Sequence, residues 1–283
     1  MTTDASAANA PEPGEGGLPR IVLASPDGGR AEVYLHGAHV ARWTDASGRD
    51  VLFLSRRSPF APGEAIRGGI PVIFPQFAEQ GPLPKHGFAR TAAWTLAESS
   101  ATHAVLGLTD TPETRAVWDF AFRAELRVAL SGVLEMSLAV ENTGGAAFEF
   151  TCALHSYFRV ADIHRTAVLG LRELPYRDKV EDGIGVQETA ELRFCGETDR
   201  VYVGVPDELR IVDEAGGRTI TIDKRGFPDA VVWNPGARKA RGMVDLGEEA
   251  YPRFVCVEAG CVGTPVRLEP GGRWEGGQVI RAA

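Results

Sequence analysis

Cysteine is scarce in this chain and is not arranged for covalent or metal chemistry. Four residues, Cys152, Cys195, Cys256 and Cys261, show no C-x-x-C spacing. They form no dense disulfide framework, and Cys152 and Cys256, set in apolar runs, read as reduced buried thiols. No run approaches the ~18 apolar residues of a membrane helix. Residues 1–18, MTTDASAANAPEPGEGGL, lack the basic start and apolar stretch of a signal peptide. Their Ala/Pro/Gly/Glu composition predicts a disordered tail, and a soluble cytoplasmic protein is expected. Net basicity is missing too: 30 Lys and Arg face 38 Asp and Glu, a formal charge of −8. That balance argues against a nucleic-acid binder but not against an anionic ligand, which needs only local positive charge. Neither G-x-x-x-x-G-K-[ST] nor G-x-G-x-x-G occurs, so nucleotide-binding folds gain no support.

Period-two alternation is what the chain has in abundance. In DFAFRAELRVAL, Phe120, Phe122, Ala124, Leu126, Val128 and Leu130 fall on one face, and Arg123, Glu125 and Arg127 on the other. Ser131-Gly132 marks a turn, and VLEMSLAVEN repeats the pattern, which predicts a hairpin with one wet face. AEVYL, DVLFLS, AAFEFTCALHSYF, LRIVDE, RTITID, DAVVWN and RFVCVE read as further strands. No amphipathic helix is long or clear, and no linker divides the chain. The expected fold is all-β, a large antiparallel β-sandwich forming a single domain over residues 19–283. Its exposed faces read as charged and mixed, so a monomer is expected.

Three places carry candidate chemistry. The loop RGGIPVIFPQFAEQGPLPKHGFAR gathers Arg67, Lys85, His86 and Arg90 in a Gly/Pro-rich setting that forbids a regular helix. Arginine forks match phosphate oxygens, and a lysine adds a point charge. In AAFEFTCALHSYF, His155 shares parity with Glu149, Thr151 and Tyr157, and leaves the face of Phe148, Phe150, Cys152, Leu154 and Phe158. It is either a solvated sheet histidine or a general acid or base lining a cleft. In RFVCVEAG, Glu258 is in step with Phe254 and Cys256, and a carboxylate in such company is costly unless paired or employed. His36 and His39 of HGAH point to opposite faces of a strand with no third ligand nearby, so they read as a turn pair, not a metal site.

IRGGIPVIFPQF, PKHGFARTAAW, ALHSYFRV, ETDRVY and VVWNPGARKARGMVDLGEEAYPRFVCVEAG, in that order, resemble the glucose-6-phosphate 1-epimerase (D-hexose-6-phosphate mutarotase) family of the aldose 1-epimerase superfamily. The resemblance runs from YLHGAHVARW through VGTPVRLEPGG. It implies a galactose mutarotase-like supersandwich with a sugar on its concave face, and no metal or organic cofactor. It further implies His155 as catalytic acid, Glu258 as catalytic base, and Arg67, Lys85, His86, Arg90 and Asp199 as substrate contacts. The ligand implied is a small sugar phosphate, with no nucleic-acid or membrane partner. Ring opening would remove the anomeric hydroxyl proton while delivering one to the ring oxygen. Adjacent carboxylate and imidazolium are expected to favour their charged forms. Two other readings stay open: a sugar-phosphate sensor that needs neither His155 nor Glu258, and a glycosidase using Asp199 and Glu258 as paired carboxylates.

Overall fold

The alternating runs assemble into three antiparallel sheets in the computed structural model, which describes residues 9–283. The nine-stranded sheet runs in the order Glu191–Arg193, Thr166–Leu169, Glu208–Asp213, Arg218–Arg225, Arg273–Ala282, Leu134–Asn142, Phe122–Leu130, His103–Thr109, Thr95–Ser99. Its central hairpin pairs Leu126 with Leu138, and one face alternates into the core as the sequence predicts. The eight-stranded sheet runs Gly183–Val186, Pro175–Asp178, Thr198–Tyr202, Asp229–Asn234, Phe254–Leu268, Phe148–Leu154, Val72–Ile73, with Tyr157–Arg159 also pairing Phe254–Leu268. Glu12–Pro13, Pro19–Ala24, Arg30–Tyr34 and His39–Thr44 form a four-stranded sheet.

The two large sheets pack face to face over one apolar cluster. Phe150, Cys152, Leu154 and Val257 enter it from the eight-stranded sheet, and Leu126, Leu138, Ile211, Ile222 and Ile280 from the nine-stranded one. The eight-stranded sheet is also covered on its other face. There Phe53, Tyr157, Trp233, Phe254 and Cys256 form one satellite cluster and Ile73, Phe77, Val201 and Val231 another. The candidate site residues described below lie on or beside this second face. Among the described residues no helix is long and apolar enough to cross a membrane. The two α-helices, Pro112–Val117 and Gly236–Arg241, have six residues each.

Three expectations need correction. The disordered tail was placed over residues 1–18; residues 1–8 lie outside the described residues, but the chain from Asn9 onward packs on the body. Glu12 pairs with Arg20 at 3.0 Å and Glu15 with Arg42 at 2.6 Å, while Leu18 is buried beside Tyr34, Ala41 and Ile66. Composition alone misses these partners, because all of them lie later in the chain. DVLFLS is not a strand but a segment of isolated bridges, Asp50 to Thr44, Leu52 to Phe158 and Leu54 to Gly68. AAFEFTCALHSYF is not one strand either: it breaks at His155-Ser156, where the Ser156 N–H turns back to the Leu154 carbonyl at 2.9 Å. All four cysteines are free, three of them buried and Cys195 exposed.

Candidate active site

Strand register builds the site row by row. Asp199 lies opposite Trp233, Trp233 opposite Cys256, and Cys256 opposite Tyr157, so four neighbouring strands present these side chains on one face. In the next row Glu258 lies opposite Val231. His155 stands at the strand break, just past the Leu154–Ala259 pair, with its N–H held by the Pro71 carbonyl at 3.0 Å. The two candidate acid/base groups meet there: Nε2 of His155 is 3.2 Å from Oε1 of Glu258. They are 8% and 1% exposed, respectively. The Tyr157 ring stacks on the imidazole at 4.8 Å and 10°, and Trp233 meets it edge-on at 6.1 Å. Nδ1 of His155 and Oε2 of Glu258 are buried without a hydrogen-bond partner among the described residues.

Burial opposes the charged forms that attraction within the pair favours. It holds the His155 imidazole well below its usual range, aided by Arg67, Arg90 and Lys85. It drives the Glu258 carboxyl well above its usual range, with Asp199 adding to the rise and Lys179 opposing it. The sequence reading weighed the attraction between the two groups and left out the cost of taking both from water, which here dominates.

The opening loop reaches this pair because its glycines let it pass close beneath neighbouring strands. Gly69 has φ +60, and a Cβ there would lie 2.3 Å from the Val40 carbonyl oxygen and 2.7 Å from Nε2 of His39. Arg67 directs Nε to Oδ2 of Asp245 at 2.8 Å and Nη1 to the Tyr157 hydroxyl at 2.9 Å, and its Nη2 also meets Asp245 at 2.7 Å. Of its five donors this leaves one on each terminal nitrogen. Arg90 is half-buried and donates to the Lys85 carbonyl at 2.9 Å. Its Nε is buried and unpartnered, and among the described residues no carboxylate pairs with it. Burial accordingly lowers its proton affinity. His86 adopts φ +69, a strained backbone for a non-glycine residue. A reciprocal pair holds it, the His86 N–H donating to the Ala78 carbonyl at 3.0 Å and the Ala78 N–H to Nδ1 of His86 at 3.2 Å. The proton is thereby assigned to Nε2 of a neutral ring, in keeping with a pKa lowered chiefly by burial. Lys85 is exposed and 2.9 Å from Glu79.

A cavity of about 210 Å³ is lined by Arg67, Lys85, His86, Asp199, Lys179 and Lys239 beside the His155–Glu258 pair; Arg90, expected as a contact, is not part of its lining. A larger depression of about 940 Å³ lies on the nine-stranded sheet. Its lining includes the buried Lys224, held by the Val205 and Phe227 carbonyls, and Gln278, whose Oε1 has no partner among the described residues, but no acid and imidazole in contact, so convergent chemistry outweighs volume. Asp199 is half-buried, its carboxyl pushed up by burial against the pull of Lys179, Lys239 and Lys85. His155, Cys256 and Glu258 each offer one ligand atom within 4.8 Å of the others, the one described group of donors with a spacing open to a metal ion. His36 and His39 do not join such a group: Nε2 of His36 meets the Glu64 carbonyl at 2.7 Å, and His39 is buried.

Sequence reasoning missed Tyr157, Trp233, Asp245, Lys179 and Lys239. Tyr157 was visible in step with His155, and Trp233 sits in an alternating strand. The Arg67–Asp245 pair spans 178 positions and leaves no local signal.

The aldose 1-epimerase family model matches residues 19–281. The chain belongs to the aldose 1-epimerase family. It is 38% identical over 274 residues to a protein of Cenchrus ciliaris, covering 92% of this chain and 83% of the relative. It is also 38% identical over 239 residues to one of Escherichia coli K12, covering 81% and 79%. Both carry the name "Putative glucose-6-phosphate 1-epimerase". A crystal structure from Salmonella typhimurium, described as "a putative mutarotase", superposes with a TM-score of 0.86 at 33% identity, covering 94% of this chain and 90% of that one. The Slr1438 protein of Synechocystis shares the fold at a TM-score of 0.80 and 19% identity. This aldose 1-epimerase family member is thus a mutarotase-type epimerase on the galactose mutarotase-like sandwich.

Proposed function

We propose that this epimerase interconverts the α and β anomers of a hexose 6-phosphate, glucose 6-phosphate first among them. The reading rests chiefly on the contact between His155 and Glu258 at 3.2 Å beside a pocket whose lining includes Arg67, Lys85, Lys179 and Lys239. The anomeric hydroxyl and the ring oxygen share C1, so the groups that exchange protons with them must converge, as these two do.

Glu258 takes the proton from the anomeric hydroxyl, and His155 delivers one to the ring oxygen, breaking the C1–O5 bond. The open aldehyde rotates about C1–C2, and reclosure on the opposite face reverses both transfers. A neutral imidazole beside a neutral carboxylic acid carries the same number of protons as imidazolium beside carboxylate. Shifting the proton in the Nε2···Oε1 contact therefore produces the reactive form without exchange with water. Each positioned proton-transfer group contributes typically ~10²–10⁴-fold. In this reading Asp199 and the Nε2–H of His86 hold sugar hydroxyls, and Arg67 and Lys85 the phosphate, with Arg90 adding charge from behind the lining. The two carboxyls Asp199 and Glu258 alone would suit glycoside cleavage, but that chemistry leaves the His155 contact and the cationic loop without a role.

The test is NMR or polarimetry of freshly dissolved α-glucose 6-phosphate with and without the protein. Accelerated anomer exchange supports the reading. Binding without acceleration would make the protein a sensor and overturn it.

A further inference from the structure

The strand break that carries His155 is also held from the core side, away from the pocket. Leu154 pairs with Ala259 and Tyr157 with Cys256, with two residues between these pairs on each strand. His155 therefore stands level with Glu258, and Ser156 with Val257. Side chains alternate, so His155 and Glu258 emerge on the site face while Ser156 and Val257 turn into the core. Neither amide of the break donates to the neighbouring strand: the His155 N–H goes to the Pro71 carbonyl at 3.0 Å and the Ser156 N–H back to Leu154 at 2.9 Å. Across the sandwich, Gln278 of the strand Arg273–Ala282 directs Nε2 to Oγ of Ser156 at 3.0 Å, a bond that joins the two large sheets through the apolar layer. Both residues are buried, and Oε1 of Gln278 has no partner among the described residues. An unmatched buried acceptor offsets what the one bond contributes, so stability gives little reason for an amide at this position.

We propose that Gln278 is a positioning residue for the acid, acting through Ser156: its bond fixes the strand break from the core side and so sets how the His155 imidazole meets Glu258 and the sugar. The proposal rests on the acid/base reading above. Gln278 itself touches neither the substrate nor the reacting atoms. Nδ1 of His155 has no partner among the described residues, so no hydrogen bond from the second ring nitrogen steers the imidazole. Its direction is left to the stacked Tyr157 ring and to the backbone that carries it. That backbone lacks ladder bonds from its own two amides, and the Ser156 hydroxyl, which also meets the Leu154 carbonyl at 3.4 Å, ties it down from below. A slack break would move Nε2 by a fraction of an ångström, enough to spoil proton delivery to the ring oxygen. The groups proposed to hold the sugar and its phosphate lie on other segments, so the loss falls on kcat and leaves KM largely unchanged.

The test separates positioning from stability with Ser156→Ala, Gln278→Met and the double variant, each assayed by exchange NMR on glucose 6-phosphate well below its melting midpoint. Ser156→Ala strands the Gln278 amide and should lower the melting temperature. Adding Gln278→Met removes the stranded group and should restore it, because replacing both partners of a buried bond by apolar groups is nearly neutral. The kcat should nonetheless stay about 10–100-fold below wild type in all three, with KM little changed. The double variant should be no slower than the slower single one, since both remove the same bond. A kcat that recovers with the melting temperature in the double variant would overturn the proposal and leave the bridge purely structural. Losses that appear in KM, or that multiply in the double variant, would overturn it as well. Should Gln278→Met fail to fold, Ser156→Ala, which deletes a single oxygen, decides the matter on the division between kcat and KM. These outcomes are distinct from the acid/base reading, which fails if His155→Ala or Glu258→Ala turns over glucose 6-phosphate near normally.

Discussion

The outer faces of the two large sheets treat charge in opposite ways. On the nine-stranded sheet most outward-facing cations sit beside a carboxylate in solvent, Arg127 beside Glu125 at 2.9 Å, Arg123 beside Glu141 at 3.4 Å, Arg273 beside Glu275 at 3.3 Å, while the inward Lys224 is held by the Val205 and Phe227 carbonyls. On the eight-stranded sheet Glu258 is buried and Asp199 half-buried, and Arg90, in the turn Ala89–Thr91 of the cationic loop, has a buried Nε with no partner among the described residues. Exposed pairs contribute little and cost little. Buried, unmatched groups are costly to keep, and a fold tolerates them where a ligand will supply what is missing. A buried carboxyl in contact with a buried imidazole, not the size of a depression, distinguishes the site.

The largest expected effect breaks that comparison at its centre. His155→Ala and Glu258→Ala should each slow enzymatic anomer exchange by ~10²–10⁴-fold. Exchange NMR near the wild-type rate for either variant would remove the proposed pair from the chemistry.

Next in size, Arg90→Met should raise KM for glucose 6-phosphate by roughly 10–100-fold, as expected for losing a charged hydrogen-bonding group, while changing use of free glucose only a few-fold. The same variant should melt at a higher temperature than wild type, because it removes a buried charge without a counter-charge. Equal losses on both sugars would reassign Arg90 to structure.

Two buried groups should give stability slopes of opposite sign with pH. Burial lowers the pKa of His39 from 6.5 to about 3. Between those values the unfolded chain binds the proton and the native one does not, so stability falls as pH drops below about 6.5, by up to a few kcal/mol. His39→Leu should flatten that acid limb in denaturant titrations. Glu258 is shifted upward, so its native form holds the proton longer than the unfolded chain. Stability is therefore lost as pH rises above the ordinary carboxylate range, and the advantage of Glu258→Gln over wild type should widen with pH. A constant advantage would show that the carboxylate is not penalised by burial.

The smallest effect is the control on the other face. Arg127→Ala should cost at most ~1 kcal/mol and leave exchange rates unchanged. A rate loss there would mean that the nine-stranded face takes part in the chemistry.

Much of this was legible before any coordinates. Alternation placed His155 and Tyr157 opposite Phe150, Cys152 and Leu154, and those faces are the ones found. Glu258 was marked by its apolar company, and Arg67 and Arg90 by glycines and prolines that keep their loop out of a helix. Ordered motifs then tied these residues to a family. The strand break at His155-Ser156 was not legible, because every residue around it suits a continuous strand. Nor was the Arg67–Asp245 pair, whose members belong to segments with no shared pattern.

The sequence by itself determined which side chains share a face, since period two is a property of each strand alone. It also determined that positive charge would collect on one loop of an acidic chain. Only the tertiary structure decided that positions 155 and 258 would touch, which arginine would lack a carboxylate partner, and how far burial opposes the charged forms of the pair. Those outcomes depend on strand register over more than a hundred residues and on how much water is excluded, and neither quantity is written in any local stretch of chain.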